Sequence, residues 1–585
     1  MNSTHNDEIH GRHLDGMLLR RFMPYIRPYR KKAVASLLLL PLISLTRIIP
    51  PLLIKMAIDD SILPGDLSKL LPISLFLVAL LIVEGGLVFA QSLFVQVVGQ
   101  HIMADLRRDS FAKLMRLPWR WYDWQPSGRV LTRLTTDIEH VGDLFGSGLV
   151  SALGDIATLL MIFSIMLSIN ASLSLVAFGV VPLLLVVIIL IRRPMRKVVR
   201  QVRARQASLN AFISERVSGI AEVQVFSQEQ RTAAEFDVLQ DDYRRSSLNW
   251  VSLEALFYAS VHIFGSLAVA AILWKGGGEV MQQTATFGTL VAFIEYSRKF
   301  FMPLTELASK FSVLQTSNAS LERIFDLLDQ AEEEQGILPV AAGAGRVEFV
   351  DLYFSYKDDE SVLKGVNFAL EPGQSVALVG ETGSGKSTLT KLLLGFYPPA
   401  SGQVRLNGVD ITMVDKVALR QQVGWVSQEP FLFSGSVREN LDPLEKLDDQ
   451  QVVNHLRHTG ALKVVERLGG LNGQLVEHGK NISSGERQLL CLTRTQIQDP
   501  QVIILDEATS HLDGDSEELV YQGMRAVAGG RTTMMIVHHL RLAAEADLIV
   551  VLHQGRVCEQ GTHRQLLECQ GRYAQLWQIQ QLDAQ

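Results

Sequence analysis

The chain has 585 residues, 48% of them apolar, and a mean hydropathy of +0.18, which makes it too long for one hydrophobic core and too apolar for an ordinary soluble protein. Its formal charge of −6 averages over unlike parts, because Lys and Arg crowd into particular loops of the N-terminal half, so the balance identifies no partner. Three cysteines, Cys491, Cys558 and Cys569, show neither metal spacing nor a disulfide framework, which points to reduced thiols in a cytoplasmic domain.

Residues 1–16 are polar, and no signal-peptide apolar region with a small-residue cleavage site follows them. Met17 to Tyr29 mixes apolar and basic residues, broken by Pro24 and Pro28, and predicts a short helix along the membrane surface. Ala33 to Ile54 is nearly all apolar, with Arg47 its only charge, and about 20 such residues cross a bilayer as a helix. Leu71 to Val98, Leu144 to Ile169, Leu173 to Ile191, Leu256 to Trp274 and Thr286 to Leu304 are of the same kind, so six spans are expected.

The gaps after the second and fourth spans are long and basic, with Arg107, Arg108, Lys113 and Arg116 in one and Arg192, Arg193, Arg196 and Lys197 in the other. The positive-inside rule places both gaps, and both chain ends, in the cytoplasm. Their composition is helical, so the spans should continue as helices far into the cytoplasm and reverse near Trp121 to Ser127 and Ser218 to Val223. Glu84, Asp155, His262, Glu295 and Arg298 lie in or near the spans, where an ionisable group is by default a functional hypothesis. Glu84 and Glu295 would suit cationic amphiphiles if they line a cavity; interhelical polar contacts account for them equally well.

An acidic, then Gly/Ala-rich linker at residues 329–345 separates the membrane domain, residues 17–328, from a C-terminal domain, residues 346–585, where strand-like runs alternate with helical stretches as in an α/β fold. Here Gly380, Glu381, Thr382, Gly383, Ser384, Gly385, Lys386, Ser387 and Thr388 read G-x-x-x-x-G-K-[ST], between a strand at Ser375 to Val379 and a helix at Leu389 to Phe396. That is a P-loop: glycines let backbone N–H groups converge on phosphate, Lys386 neutralises the β and γ phosphates and Ser387 holds Mg²⁺. A second apolar strand, Val502 to Leu505, ends in Asp506 and Glu507, placed for the Mg²⁺ shell and for polarising an attacking water. The expected fold class is thus a six-helix transmembrane domain with long cytoplasmic helical extensions, followed by an α/β P-loop nucleotide-binding domain.

The C-terminal half resembles the nucleotide-binding domain of an ATP-binding cassette transporter, and the chain from about Leu18 onward resembles a bacterial half-transporter of the exporter fold, of the multidrug-resistance-like kind. The motifs stand in the family order. Tyr356 resembles the aromatic that stacks on adenine; Gln428, in Val426-Ser427-Gln428, resembles the residue that senses Mg²⁺ and the γ-phosphate. Ser510-His511-Leu512-Asp513 is similar to the D-loop and His538 to the switch histidine. The stalk reversals resemble coupling helices, and Glu477-His478-Gly479 sits where exporters carry an extra contact loop. What the resemblance implies is ATP-driven efflux of small hydrophobic or amphipathic compounds by alternating access across a bacterial inner membrane, with ATP and Mg²⁺ as cofactors; import or ATP-gated regulation on the same fold is the alternative. Six spans exclude a soluble cassette ATPase acting on nucleic acid.

One motif departs from the family pattern. The signature LSGGQ stands here as Ile482-Ser483-Ser484-Gly485-Glu486. Ser483 and Gly485 can still face a γ-phosphate at a helix N-terminus, whereas Ser484 adds a Cβ and Glu486 a negative charge near a polyanion. The family sets the signature of one subunit against the P-loop of the other, so a homodimer would carry the defect twice and a heterodimer once. The expected partner is a second half-transporter with an intact signature.

Overall fold

In the computed structural model, residues 16–66, 68–341, 343–357, 360–506, 514–537 and 540–583 are described. Contacts divide the chain into two units, Met1–Met115 with Ser127–Gln330, and Arg116–Pro126 with Ala331–Gln585.

The first unit is helical. Helix α1 (Gly16–Ile26) passes through a 3-10 turn, Arg27–Tyr29, which Pro28 favours by fixing φ, into α2 (Arg30–Ala57). Tyr29 donates to Asp105 at 2.8 Å and stacks on His101 with centroids 4.8 Å apart. Arg21 forks onto Asp329 at 2.7 and 2.6 Å and lies 4.5 Å over the Phe325 ring. Thus α1 is fastened to α3 (Leu70–Leu114) and to the end of the unit.

At 45 residues α3 is roughly 65–70 Å long, more than twice the hydrocarbon thickness of a bilayer. The later helices are α4 (Ser151–Ile169), α5 (Val181–Ser218), α6 (Glu229–Met281) and α7 (Phe287–Leu328). Among the described residues five helices are long and apolar enough to cross a membrane, and α7 carries the sixth apolar segment.

Two expected spans differ in detail. The segment read as Leu144 to Ile169 begins in a widened π-turn, Leu144–Val150, and only then enters α4. A Cβ on Gly142 would lie 2.4 Å from Met103 Sδ, so small residues let this stretch run close against α3. Just before it the buried Asp137 accepts from Ser320 at 2.9 Å and from Arg323 Nε at 3.0 Å, which satisfies its charge. The segment read as Leu173 to Ile191 is two helices, Ala171–Phe178 and α5. Pro182 stands in the first turn of α5, where its missing N–H costs nothing, and the break falls just before it.

The second unit holds two sheets. Antiparallel β1 (Val347–Lys357), β2 (Glu360–Leu370) and β4 (Ser401–Leu406) join a two-residue strand, Val409–Asp410, in the order β2-β1-β4 and then that strand. The larger sheet contains β3 (Ser375–Val379), β5 (Val423–Val426), β6 (Val502–Asp506), β7 (Thr532–Ile536), β8 (Leu548–His553) and β9 (Arg556–Gly561) in the order β9-β8-β3-β7-β6-β5. All of its pairs are parallel except β8 with β9. Such strands are covered on both faces, hence the near-unbroken apolar runs of β3 and β6. Val376, Leu378, Ile504 and Met534 are fully buried against Leu389 and Leu392 of α8 (Lys386–Leu393). This helix begins at Lys386, three residues earlier than its apolar pattern alone suggests, because the motif residues form its first turn.

Candidate functional site: the P-loop edge of the parallel sheet

The register collects the chemistry on one edge. Leu378 of β3 pairs with Ile536 of β7, and Ile536 pairs with Asp506 of β6. Val426 of β5 pairs with Leu505. The P-loop, Asp506 and Gln428 therefore lie at or just past the carboxyl ends of three strands, β3, β6 and β5, on one edge of the parallel sheet, with β7 between the first two, where ligands bind in open α/β sheets. Glu507, the D-loop residues 510–513 and His538 lie outside the described residues, two positions or fewer past strand ends on this edge in the case of Glu507 and His538.

The loop needs its glycines. Gly385 has φ of 105°, and a Cβ there would meet Leu363 Cδ2 at 2.6 Å; at Gly380 it would meet the Leu552 carbonyl oxygen at 2.2 Å. Lys386 Nζ donates to the carbonyls of Gly380 at 2.6 Å and Glu381 at 3.0 Å, arching the loop over the start of α8. Among the described residues Ser384 Oγ is buried without a hydrogen-bond partner, and such an orphan inside a glycine-rich loop at a helix N-terminus suits a phosphate oxygen. The Ser387 hydroxyl, the Gln428 amide oxygen and the Asp506 carboxylate form an all-oxygen donor set, the chemistry Mg²⁺ requires.

Tyr356 sits beside this loop. Its hydroxyl lies 3.3 Å from Thr388 Oγ1, its ring meets Tyr397 edge-on with centroids 5.3 Å apart, and Lys391 Nζ lies 5.5 Å over the ring. Residues Arg116–Pro126 pack into the same unit. Trp119 stacks on Phe396 at 4.8 Å, Lys357 Nζ stands 5.3 Å over Trp124, and Asp123 accepts from Tyr397 while facing Lys391 at 3.5 Å. Burial and the hydrogen bond to Asp123 push the Tyr397 phenol well above its ordinary pKa, so the phenol stays a donor. The reversal expected near Trp121 to Ser127 overlaps Arg116–Pro126, and its Trp-rich, otherwise polar helix, Trp119–Trp124, carries the contacts, though their partners are not legible in the local pattern.

The signature segment forms the start of α9 (Ser484–Gln498). Ser483 is its N-cap: the Glu486 N–H donates to Ser483 Oγ at 3.3 Å, and Glu486 Oε2 accepts from the Ser483 N–H at 2.8 Å, a capping box. Arg467 reaches Glu486 at 2.7 Å. Burial opposes ionisation, yet Arg467 and the Ser483 N–H outweigh it and hold the Glu486 carboxyl below its ordinary pKa. The negative charge expected to face a polyanion is thus drawn back onto a guanidinium. Ser484 is exposed. Beside it, His478 of the contact loop meets Phe431 edge-on at 4.9 Å, joining that loop to the segment after Gln428.

In the membrane unit the expected carboxylates are compensated. Glu84 faces Arg47 at 3.3 Å, Glu295 faces Arg298 at 3.4 Å, and Asp155 pairs with Lys310.

A P-loop sheet edge with an N-capped signature helix, in a chain that also carries membrane-length helices, defines a nucleotide-hydrolysing membrane protein. Residues 34–304 match the ABC transporter transmembrane region and residues 363–510 match the ABC transporter nucleotide-binding family, and the chain belongs to the ABC transporter family. It is 32% identical over 518 residues, 86% of this chain and 77% of the relative, to a probable multidrug resistance ABC transporter ATP-binding/permease protein, YheH, of Bacillus subtilis. It is 30% identical over 566 residues, 96% of this chain and 95% of the relative, to the ATP-dependent lipid A-core flippase of Nitrosococcus oceani. A bacterial Atm1-family ABC exporter solved with ATP bound superposes with a TM-score of 0.76 at 25% identity, covering 94% of this chain and 98% of that one. The protein is a multi-pass membrane ATPase of the exporter fold that couples ATP hydrolysis to transport, and as a half-transporter it works as a dimer.

Proposed function

We propose that the chain drives efflux of amphipathic compounds, multidrug or lipid-like, across a bacterial inner membrane, with both termini and the nucleotide-binding domain in the cytoplasm. The observation that carries this reading is the joint match of both regions to an exporter fold, with relatives named for multidrug resistance and for lipid flipping.

The P-loop amides and Lys386 hold the phosphates, Tyr356 receives adenine, and Ser384 supplies its unpaired hydroxyl to a phosphate oxygen. Ser387, Gln428 and Asp506 would hold Mg²⁺, which when bound neutralises charge on the β and γ phosphates. Glu507 polarises the water and His538 steadies the γ-phosphate. Ser483 and Gly485 complete the site of the partner subunit. Because Ser484 puts an exposed side chain where the signature carries glycine, we assign the working unit as a heterodimer in which the site built on Glu507 meets an intact signature.

Two measurements test this. ATP-dependent accumulation of an amphipathic dye in inside-out vesicles supports efflux, and depletion supports import. Co-expression with candidate half-transporters should raise ATPase activity and dimer recovery; full transport by the chain alone overturns the heterodimer.

A further inference from the structure

Within the first unit, α2, α3, α4 and the π-turn before α4 enclose a cavity of about 250 Å³. Its wall is unusually polar for membrane depth: Arg47, Gln91, Gln96 and Asp155 line it, with Ser44 and Thr158 between. Ser44 and Thr158 satisfy each other at 3.0 Å, but no protein hydrogen bond to the side chains of Gln91 or Gln96 is found among the described residues, so both face the cavity with donors and acceptors to offer.

The two charges on the wall are ordered along the axes of α2 and α4. Gly154 approaches Leu40 and Thr158 meets Ser44, an equal offset that makes α2 and α4 parallel and in register. Arg47 stands one turn past Ser44, and Asp155 one turn before Thr158. At 1.5 Å per residue the two levels are about 9 Å apart. Behind Arg47 is Glu84, at 3.3 Å; behind Asp155 is Lys310. Lys299 Nζ also donates to the Arg47 carbonyl at 2.8 Å and Glu306 faces Lys310 at 3.2 Å, so the charges behind the wall are mixed, while on the wall itself one positive and one negative group border the gap.

We propose that this cavity binds the zwitterionic head group of an amphiphile of the phosphocholine or phosphoethanolamine type, its phosphate against Arg47 and its ammonium against Asp155. A dipolar ligand in that orientation sets a negative group on Arg47 and a positive group on Asp155, so each charge on the wall meets its opposite. A lone cation at Asp155 leaves Arg47 facing it, and a lone anion at Arg47 leaves Asp155 facing it; each meets a like charge where the dielectric is low. Leu40, Ile43, Val88 and Val95 complete the wall and suit the start of an acyl chain. The inference names the substrate class of the efflux reading and rests on it, but it concerns binding and is tested as binding.

The test is native mass spectrometry of the purified dimer with three probes sharing one dodecyl chain: dodecylphosphocholine, dodecyltrimethylammonium and dodecyl phosphate. The phosphocholine should be retained about ten-fold more tightly than either singly charged probe. Exchanging the outer pair, Arg47→Glu with Glu84→Arg, keeps the ion pair but reverses the charge on the wall, so phosphocholine should be lost and trimethylammonium gained. Should that variant not fold, Arg47→Gln with Glu84→Gln should abolish the preference for phosphocholine over trimethylammonium. Equal retention of the three probes by the unaltered protein, or an unchanged ratio in a folded variant, overturns the site. Glycerophosphocholine competing as well as the chain-bearing probe overturns the amphiphile as its source. Selective binding without dye movement in vesicles would count against efflux and leave the site standing.

Discussion

Lys391, on the helix that Lys386 opens, faces Asp123 of the Trp119–Trp124 segment at 3.5 Å, and the same Lys391 ammonium lies over the ring of Tyr356. One side chain thus touches the proposed adenine platform and a stalk reversal. Asp123→Ala should leave nucleotide affinity nearly unchanged while reducing the increase in ATPase activity that transported compounds produce, by about five- to ten-fold, the low end of ordinary coupling energies. The comparison is ATPase activity with and without an amphipathic drug; an undiminished response removes Asp123 from coupling.

Glu507→Gln should retain ATP binding and slow hydrolysis by about 100-fold or more at the site built on this chain, since the water loses its general base while Lys386 and Ser387 remain. Single-turnover measurement with radiolabelled ATP reads that site alone, and an unaltered rate would assign the base elsewhere.

Lys386→Ala should lower nucleotide affinity by about 10- to 100-fold, because the phosphates lose a charge-assisted donor and the loop carbonyls of Gly380 and Glu381 lose their shared partner. Fluorescent-nucleotide titration measures it; wild-type affinity would make the lysine a structural strut.

For the altered signature the geometry changes the expectation. Since Arg467 already neutralises Glu486, Glu486→Gln should change activity little, whereas Arg467→Ala should release the charge and slow the partner's site a few-fold. Adding Glu486→Gln to Arg467→Ala should then restore the rate. A large gain from Glu486→Gln alone would show that the carboxylate does face the nucleotide. Ser483→Ala should destabilise α9 by about 1 kcal/mol through loss of the N-cap.

The P-loop was legible because its chemistry is local: nine consecutive residues state the turn, the cation and the helix start. The capping box at Ser483 and Glu486 is equally local, a Ser-x-x-Glu before a helix, and it turns Glu486 toward its own backbone rather than toward phosphate. Arg467, the residue that settles the direction of that charge, is 19 positions away and carries no mark in the sequence. Glu84 illustrates the same limit: an apolar run locates a carboxylate at membrane depth, but only packing reveals Arg47, 37 positions away, beside it, whereas Arg298 stands three residues after Glu295 on the same helix. The widened turn Leu144–Val150 escaped because its apolar composition is that of a regular helix, and the cause lies in Gly142 against Met103 on another element.

The fork between Arg21 and Asp329 joins residues 308 positions apart, so the last helix of the membrane unit must be made before the first can be locked. During synthesis, which proceeds from the N-terminus, α1 and the turn after it can dock on α3 through Tyr25 and Tyr29 early, whereas the tie to Asp329 forms only after the last membrane helix is made. A chain truncated before Asp329 thus keeps the ties of Tyr25 and Tyr29 to α3 but lacks the one that closes the first helix onto the end of the unit.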